Sequence, residues 1–241
     1  MGVDLRNKVA CITGASRGIG RSISLALAEA GAHVVLISRN LNKLKDVESE
    51  IVSSGGKALV VQADLAEEKE IVSAFNEIKS RIKKLDILIG NAGIGKAGKL
   101  IDFSIEDFDK IMAVNLRGAY ICCQEAMRIM IPQRSGYIIS ISSVVGFRGY
   151  ANQSAYSASK HGQMGFIKAL AAEAQEYGIR VSAILPGVVD TEFGKAIRPD
   201  LDKSVLIPPD DIARTVLYLL SLSEQAMVDQ VYVRRMASSP F

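Results

Sequence analysis

The sequence has few of the residues that build metal centres, disulfide frameworks and membrane spans. It contains only three cysteines and two histidines among 241 residues, and no cluster of His, Cys and Asp has the spacing of metal ligands. An odd number of cysteines in no regular framework predicts reduced thiols and a cytoplasmic location. No apolar run approaches the roughly 18 residues of a membrane span. We therefore expect a cytoplasmic protein that holds no metal and has no membrane partner.

The charged residues form no block of one sign. The formal net charge is +3 and the two signs are interspersed, which argues against a nucleic-acid partner. The first residues show no signal-peptide pattern, and Arg6 stands where an N-terminal acylation motif would need Ser or Thr. Because the composition is 49% hydrophobic, we expect residues 1–241 to form a single domain with a large core.

What the sequence does contain is an alternation of short apolar strands and longer helical segments. The predicted strands lie at 8–13, 33–38, 57–62, 85–90, 136–142, 179–186 and 229–234. The predicted helices lie near 19–30, 41–51, 71–82, 105–131, 154–177 and 209–222. This order predicts a Rossmann-type, doubly wound α/β fold, with a mostly parallel seven-stranded sheet and helices on both faces. The irregular stretch 188–209 is predicted to be a substrate loop or lid, and 235–241 a flexible tail.

A glycine-rich turn, TGASRGIG at 13–20, follows the first strand and opens the first helix. Gly14, Gly18 and Gly20 do not have the common G-x-G-x-x-G spacing, but they suit the same purpose. Glycines let the backbone come close to a pyrophosphate, and a helix N-terminus supplies free N–H groups. The alternative is an ordinary glycine-rich turn between a strand and a helix. The strand–turn–helix context favours a dinucleotide site.

The end of the second strand indicates which dinucleotide would bind. An NAD-preferring site would carry an acidic residue here, to accept a hydrogen bond from the ribose 2′-hydroxyl. This chain has Ser38 followed by Arg39. Arg17 could approach from the glycine-rich turn, and two guanidinium groups suit a 2′-phosphate. Alternatively, both arginines are solvated surface charges. Mainly because the acidic residue is missing, we predict NADP(H) as the cofactor.

A tyrosine and a lysine lie four residues apart in AYSASKHG at 155–162. In a helix, Tyr156 and Lys160 would share one face. A nearby ammonium favours the phenolate, so we expect the pKa of Tyr156 to fall from about 10 towards neutrality, as suits an acid–base group. Taken alone the motif is weak, because such pairs are common on helix surfaces.

Other polar residues converge on the same edge of the predicted sheet. Ser143 ends the fifth strand, NAG (91–93) ends the fourth, and Asn115 lies in the helix that follows. Ligands of doubly wound sheets bind outside the carboxyl ends of the strands, and residues 186–187 fall there too. Ser142 is an alternative to Ser143, since alternate strand residues face opposite ways. The thirteen-residue spacing to the tyrosine favours Ser143.

In combination, these motifs resemble the short-chain dehydrogenase/reductase family from about residue 6 to residue 222. The matching motifs are TGASRGIG, ADL (63–65), NAG, Asn115, Ser143, YSASK (156–160) and PGVVDT (186–191). The resemblance implies an NADPH-dependent enzyme that reduces a carbonyl to an alcohol. The nearest broad resemblance is to 3-oxoacyl-(acyl carrier protein) reductases, which implies a 3-oxoacyl thioester as substrate. Reduction of small ketones and oxidation of 3-hydroxy acids are the alternatives.

The resemblance also implies a role for each catalytic residue. Tyr156 would protonate the nascent alkoxide, while Lys160 would lower the pKa of Tyr156 and bond the nicotinamide ribose. Ser143 would orient the carbonyl oxygen and stabilise its charge. Asn115 would hold a water that links Lys160 to solvent. A non-catalytic NADP-binding sensor and an oligomer that the nucleotide only stabilises are alternatives on the same fold. A retired enzyme would be expected to have lost the tyrosine or the lysine.

For the cofactor, the resemblance places Asp64 at the adenine, Asn91 near the adenosine ribose and Thr191 at the nicotinamide carboxamide. The full predicted cofactor-binding set is Gly14, Ser16, Arg17, Gly18, Ile19, Gly20, Ser38, Arg39, Asp64, Leu65, Asn91, Ala92, Gly93, Tyr156, Lys160, Pro186, Gly187, Val189 and Thr191.

The resemblance bears on macromolecular partners as well. The 3-oxoacyl reductases dock an acidic acyl carrier protein through two arginines. Arg134 matches one position, whereas Tyr177 occupies the other. A homodimer or homotetramer is expected, with helices 105–131 and 154–177 at one interface. The end of the chain departs from the family pattern, because VDQVYVRRMASSPF replaces a strand and turn that end in VDGG.

Overall fold

A sheet of seven parallel strands forms the centre of the molecule. The structure is a computed structural model and describes residues 3–239. The strands are β1 (Val9–Thr13), β2 (His33–Ser38), β3 (Lys57–Gln62), β4 (Ile87–Gly90), β5 (Gly136–Ile141), β6 (Ile179–Pro186) and β7 (Gln230–Val233). Their order is β3-β2-β1-β4-β5-β6-β7, and every neighbouring pair is parallel. This confirms the predicted doubly wound fold, including the seventh strand.

Helices cover both faces of this sheet. They are α1 (Gly18–Glu29), α2 (Leu41–Ser53), α3 (Glu68–Arg81), α4 (Ile105–Met112), α5 (Ala119–Gln133), α6 (Ser154–Gln175), α7 (Glu192–Ile197) and α8 (Pro209–Ser221). One core packs α1, α2 and α8 on the sheet, and the other packs α3, α5 and α6 on the opposite face. Ala10 and Ile12 point into the first core while Cys11 points into the second, which is why β1 is apolar throughout.

The segment predicted as one helix over 105–131 is interrupted. A π-helical turn at Ala113–Gly118 joins α4 to α5 and buries Asn115. A Cβ on Gly118 would lie 2.1 Å from the carbonyl oxygen of Leu65, so only glycine allows this turn to pack against the loop after β3. The apolar spacing of the two helices continues from one to the other, so the sequence pattern did not reveal the extra residue of the π turn.

The stretch 188–209 is more ordered than its composition indicates. It contains α7 and a short 3₁₀ turn at Lys203–Val205. A bridge between Val189 and Ile207 closes its base, and the Asp190 N–H donates to the Ile207 oxygen at 2.8 Å. Its role as a lid stays a prediction. Of the predicted tail, 235–239 are described and 240–241 lie outside the described residues.

Between residues 3 and 239, no helix is both long enough and apolar enough to cross a membrane.

Candidate active site

Two adjoining clefts open at the carboxyl edge of the sheet. The first, of about 550 Å³, runs from Arg39 past the glycine-rich turn to Lys160, and we call it the turn cleft. The second, of about 410 Å³, extends from Ser143 to Arg235, and we call it the arginine cleft. Tyr156 lines both clefts and therefore stands at their junction.

The structure brings most of the predicted site residues together. The turn cleft is lined by Gly14, Ser16, Arg17, Gly18, Ile19, Gly20, Ser38, Arg39, Asp64, Leu65, Asn91, Ala92, Gly93, Tyr156, Lys160 and Thr191. The arginine cleft is lined by the other three predicted cofactor residues, Pro186, Gly187 and Val189, and by Ser143. Asn115 lines neither cleft, because it is fully buried behind the loop that follows β4.

The glycine-rich turn is shaped so that its backbone faces the turn cleft. Gly14 has a positive φ of 67°, and a Cβ on Gly20 would lie 2.2 Å from the Gly14 oxygen. These two positions therefore require glycine. No side chain caps α1 from its N-cap residue Arg17, which leaves N–H groups at this helix end for an anion. The turn thus fits a phosphate group.

Asn91 fixes this turn to the end of β4. Its side-chain amide donates to the Thr13 oxygen at 2.9 Å and to the Gly14 oxygen at 3.3 Å. The Asn91 N–H donates in turn to Thr13 Oγ1 at 3.0 Å. Its predicted contact with the adenosine ribose stays a prediction, and what its contacts do here is hold the two strand ends together.

The far end of the turn cleft carries cations and one neighbouring acid. Arg39 Nη1 lies 3.4 Å from Asp64 Oδ2, and the Arg39 side chain is 65% exposed. Lys43 also lines this end, which sequence analysis missed. A signal for it was available, because Asn40 caps α2 by accepting from the Lys43 N–H at 3.0 Å and so places Lys43 in the first turn. Arg17 is paired with Glu192 of α7.

Tyr156 and Ser143 form the polar centre between the clefts. The Ser143 hydroxyl lies close enough to the Tyr156 phenol to act on its pKa, and both residues are buried. Ser143 Oγ also accepts from the Val145 N–H at 3.1 Å, which fixes the serine at the end of β5. Ser142 also lines the clefts, but its hydroxyl is buried without a hydrogen-bond partner among residues 3–239.

The predicted lowering of the Tyr156 pKa is wrong for this structure. Burial raises the pKa of Tyr156 to about 12, although the Ser143 hydrogen bond opposes the shift. Burial also lowers the pKa of Lys160 to about 7. The Lys160 Nζ lies 5.9 Å from the tyrosine ring centroid, but burial is the main influence on the pKa of the phenol. Desolvation therefore outweighs the attraction between the two groups.

Lys160 instead donates to two oxygens in the interior. Its Nζ bonds Gln163 Oε1 at 3.0 Å and the Ile141 carbonyl at 3.3 Å. Gln163 is buried and was missed by sequence analysis, although its i+3 spacing places it on the same face of α6. Gly93 lies next to the ammonium, since a Cβ at this position would lie 3.8 Å from Nζ.

Asn115 braces the loop that follows β4. Its side-chain amide donates to the Ile94 oxygen at 2.8 Å and to Ser159 Oγ at 3.1 Å, while its oxygen accepts from the Ile94 N–H at 2.8 Å. Both N–H groups of the amide are used in these bonds. Its predicted contact with a water stays a prediction, and the described contacts give it a positioning role.

Phe193 of α7 covers the junction of the clefts. It lines both clefts, and its ring centroid lies 5.7 Å from that of Tyr156. Sequence analysis placed this residue within a loop and assigned it no contact. The predicted substrate loop therefore reaches the tyrosine through an aromatic side chain.

The described residues give no support for thiol or metal chemistry at this site. The three cysteines are buried and free, and burial raises the pKa of each thiol, that of Cys123 to about 12. Within residues 3–239, no group of three or more His, Cys, Asp or Glu side chains is placed to hold a metal ion.

The chain is similar to a protein-family model, to curated proteins and to solved structures. The family model described as short chain dehydrogenase matches residues 8–202. The 3-oxoacyl-[acyl-carrier-protein] reductase of Aquifex aeolicus is 37% identical over 230 residues, which cover 92% of this chain and 93% of that protein. Carbonyl reductase family member 4 of Xenopus laevis is 36% identical over 219 residues, with 89% and 91% covered. A metagenomic short-chain oxidoreductase solved in complex with NADP is 35% identical, with a TM-score of 0.86 and 97% and 99% covered.

Proposed function

Because this chain belongs to the short-chain dehydrogenase family, we propose that it is an NADP(H)-dependent oxidoreductase that reduces a ketone to an alcohol. The observation that carries the proposal is that Tyr156, which lines both clefts, lies beside Ser143 at their junction. One cleft has the shape and backbone donors for a dinucleotide. The other provides room for a small carbonyl compound beside the same tyrosine.

The turn cleft fits NADP(H). Its glycine-rich turn leaves space and N–H groups for the pyrophosphate, and Arg39 and Lys43 would hold a 2′-phosphate. The structure of a relative with bound NADP supports this choice over NAD. When bound, the nicotinamide supplies or accepts the hydride. Thr191, the residue predicted to contact the nicotinamide carboxamide, lies close to Gly18 of the glycine-rich turn. A Cβ on Gly18 would lie 3.0 Å from Thr191 Cγ2.

The protein's own part in the reaction is to bind the carbonyl oxygen and to move one proton. With a pKa of about 12, Tyr156 holds its proton at neutral pH and can donate it to the oxygen as negative charge develops there. The Ser143 hydroxyl would donate a second hydrogen bond to that oxygen. Lys160, held by Gln163 and the Ile141 carbonyl, lines the turn cleft and would donate to the nicotinamide ribose.

For the substrate, we propose a 3-oxoacyl thioester first. The support is the similarity to a 3-oxoacyl-[acyl-carrier-protein] reductase. Docking of an acyl carrier protein is supported by fewer observations, because the one matching arginine already has partners within the protein. Arg134 donates to the Glu176 oxygen at 2.8 Å and lies over the Tyr177 ring. Reduction of a small ketone, or oxidation of a 3-hydroxy acid, is the alternative, and the similarity to a carbonyl reductase supports it.

The test is oxidation of NADPH by the purified protein with acetoacetyl-coenzyme A, a 1,2-diketone, an aromatic ketone and a simple aldehyde, each repeated with NADH. We expect turnover with NADPH well above that with NADH. The highest kcat/KM for the thioester would support the first substrate, and turnover of the small carbonyls alone would support the alternative. Binding of NADPH without turnover of any carbonyl would contradict the enzyme and favour a sensor.

We also propose a homodimer or homotetramer, with α4, α5 and α6 at one interface, in the cytoplasm. Leu100, Ile101, Ile105 and Tyr120 are exposed apolar residues on this side of the molecule, and the buried free cysteines suit a reducing compartment. Light scattering of the purified protein measures the mass directly. A monomer at micromolar concentration would contradict either oligomer.

A further inference from the structure

The arginine cleft has a charge that the proposed reaction does not require. Four arginines line it, at positions 148, 198, 234 and 235. Among the described residues, no Asp or Glu side chain lines it with them. Arg148 is exposed and the other three are half-buried, and several cations around one cleft repel each other unless an anion accompanies them. The cleft is therefore shaped for a ligand of the opposite charge.

The contacts of these arginines divide them into two pairs. Arg198 is neutralised by Asp200, through bonds of 2.7 and 2.6 Å. Arg234 donates to the oxygens of Ser238 at 2.6 Å and Arg235 at 3.2 Å, which holds the chain after β7 in a turn. Arg148 lies over the Tyr150 ring, and neither Arg148 nor Arg235 forms a salt bridge with a carboxylate of the described residues, although the charge of Arg235 helps to lower the pKa of Asp200.

The chain after β7 is held against the reacting centre by the strand next to it. The Gly187 N–H donates to the Val233 oxygen at 2.8 Å. A Cβ on Gly187 would lie 3.4 Å from the Arg235 nitrogen and 3.5 Å from Arg234 Cα. The backbone of the two arginines therefore passes within van der Waals range of the end of β6, and both line the same cleft as Ser143.

The volume of the arginine cleft limits the size of the ligand. A volume of about 410 Å³ is near the lower end for small-molecule pockets, which run from about 300 to 1,000 Å³. Tyr156 and Ser143 line one part and Arg148 and Arg235 another. A ligand that reaches both must carry its carbonyl and its anionic group on one small molecule.

We propose that Arg148 and Arg235 bind the anionic group, a carboxylate or a phosphate, of the small oxo compound whose carbonyl Tyr156 protonates. The guanidinium groups recognise these oxygens by charge-assisted hydrogen bonds. Arg234 positions Arg235 by folding the chain after β7. This inference rests on the proposed carbonyl reduction. Of the two substrate classes proposed above, it favours the small ketones and hydroxy acids over the thioester, and it specifies short-chain oxo acids and oxo phosphates.

The experiment compares two pairs of ketones that differ in one charge. The first pair is 3-oxobutanoate and its ethyl ester, and the second is dihydroxyacetone phosphate and dihydroxyacetone. KM and kcat are measured with NADPH for the wild-type protein and for Arg148→Gln and Arg235→Gln. The matched control is Arg81→Gln, because Arg81 ends α3 at the opposite edge of the sheet and pairs with Glu77 at 2.8 Å.

We expect the wild-type KM of the charged ketone to be at least about tenfold below that of its neutral partner in one pair, as for a charge-assisted contact. The pair in which this holds identifies carboxylate or phosphate as the group recognised. Arg148→Gln and Arg235→Gln should bring the KM ratio of that pair towards one, and Arg81→Gln should not change it. Equal KM values within both wild-type pairs would overturn the proposal.

A binding measurement separates this inference from the function on which it rests. Calorimetry of the NADPH-loaded protein with 3-hydroxybutanoate and with glycerol 3-phosphate needs no turnover, because an alcohol cannot exchange a hydride with the reduced cofactor. Reduction of the neutral ketones without binding of either anion would overturn the arginine site alone. Anion binding that Arg235→Gln weakens about tenfold, with no ketone reduced, would support the site and contradict the reduction.

Discussion

The turn cleft and the arginine cleft meet at one tyrosine but are built in different ways. The turn cleft takes its shape from backbone at the ends of β1 and β4, with glycines where a Cβ would collide. The arginine cleft takes its charge from long side chains on 144–153, 188–198 and 234–239. Backbone shape suits a ligand that is common to many proteins, whereas side chains on separate loops can be exchanged to select one ligand.

The largest effect should come from removing the proton at the junction. Tyr156→Phe keeps the ring against Phe193 but lacks the donor, so we expect kcat to fall about 10³-fold. NADPH affinity should change less than about twofold, because the turn cleft keeps its backbone contacts. Steady-state kinetics and nucleotide fluorescence measure the two quantities. Comparable loss of both would mean that the clefts are not separable at this residue.

The second effect concerns stability and the buried ammonium. The pKa of Lys160 is lowered to about 7 in the folded protein, against about 10.4 for an unfolded lysine. Between these values the unfolded state binds the additional proton, so the free energy of unfolding should rise with pH. From pH 7 to 9 the wild type should gain about 2 kcal/mol relative to Lys160→Met.

Urea unfolding at pH 7, 8 and 9 measures this difference. Tyr156, with its pKa of about 12, stays protonated throughout that range and does not contribute. A gap between the two proteins that is constant with pH would show that Lys160 keeps its ordinary pKa in the folded state.

The third effect sharpens the charge at the far end of the turn cleft. Arg39→Gln should raise the KM of NADPH about tenfold or more and change that of NADH little, because only NADPH carries the 2′-phosphate. Arg214→Gln, on α8 and paired with Asp211, is the matched control. KM values for the ketone should stay as in the wild type. Equal losses for both nucleotides would contradict the assignment of Arg39.

The smallest effect tests how Lys160 is positioned. Gln163→Leu removes one of the two oxygens that accept from Nζ, so the pKa of Lys160 should fall further and kcat should change only a few-fold. Gln163→Glu places a carboxylate there and should shift the pH profile of kcat in the opposite direction. Profiles that do not move in either variant would leave Gln163 a packing residue.

The two clefts also differ in how far the sequence predicts them. The strands, the glycine-rich turn and the pairing of Tyr156 with Ser143 follow from local patterns and spacing. Lys43 and Gln163 were missed because each matters only through a neighbour that the fold supplies. The Tyr156 pKa was predicted in the wrong direction, since sequence spacing shows the ammonium but not the burial that outweighs it.

The arginine cleft shows the same limit more strongly. Arg148 and Arg235 are far apart in sequence, and no motif connects them. They come together because β7 pairs with β6 and leads the chain over Gly187. A contact between distant segments of this kind depends on the topology of the whole sheet, so inspection of either segment alone does not reveal it.

The π turn at Ala113–Gly118 determines which sequence changes this region tolerates. A π turn contains one residue more than an α turn, so α4 is rotated by about 100° relative to a continuous helix with α5. Deleting a single residue here would let the backbone close into an ordinary helix, at little local cost. The same deletion would rotate Asn115 away from Ile94. The region should therefore accept many substitutions but few changes in length, and relatives that share the site should align across it without gaps.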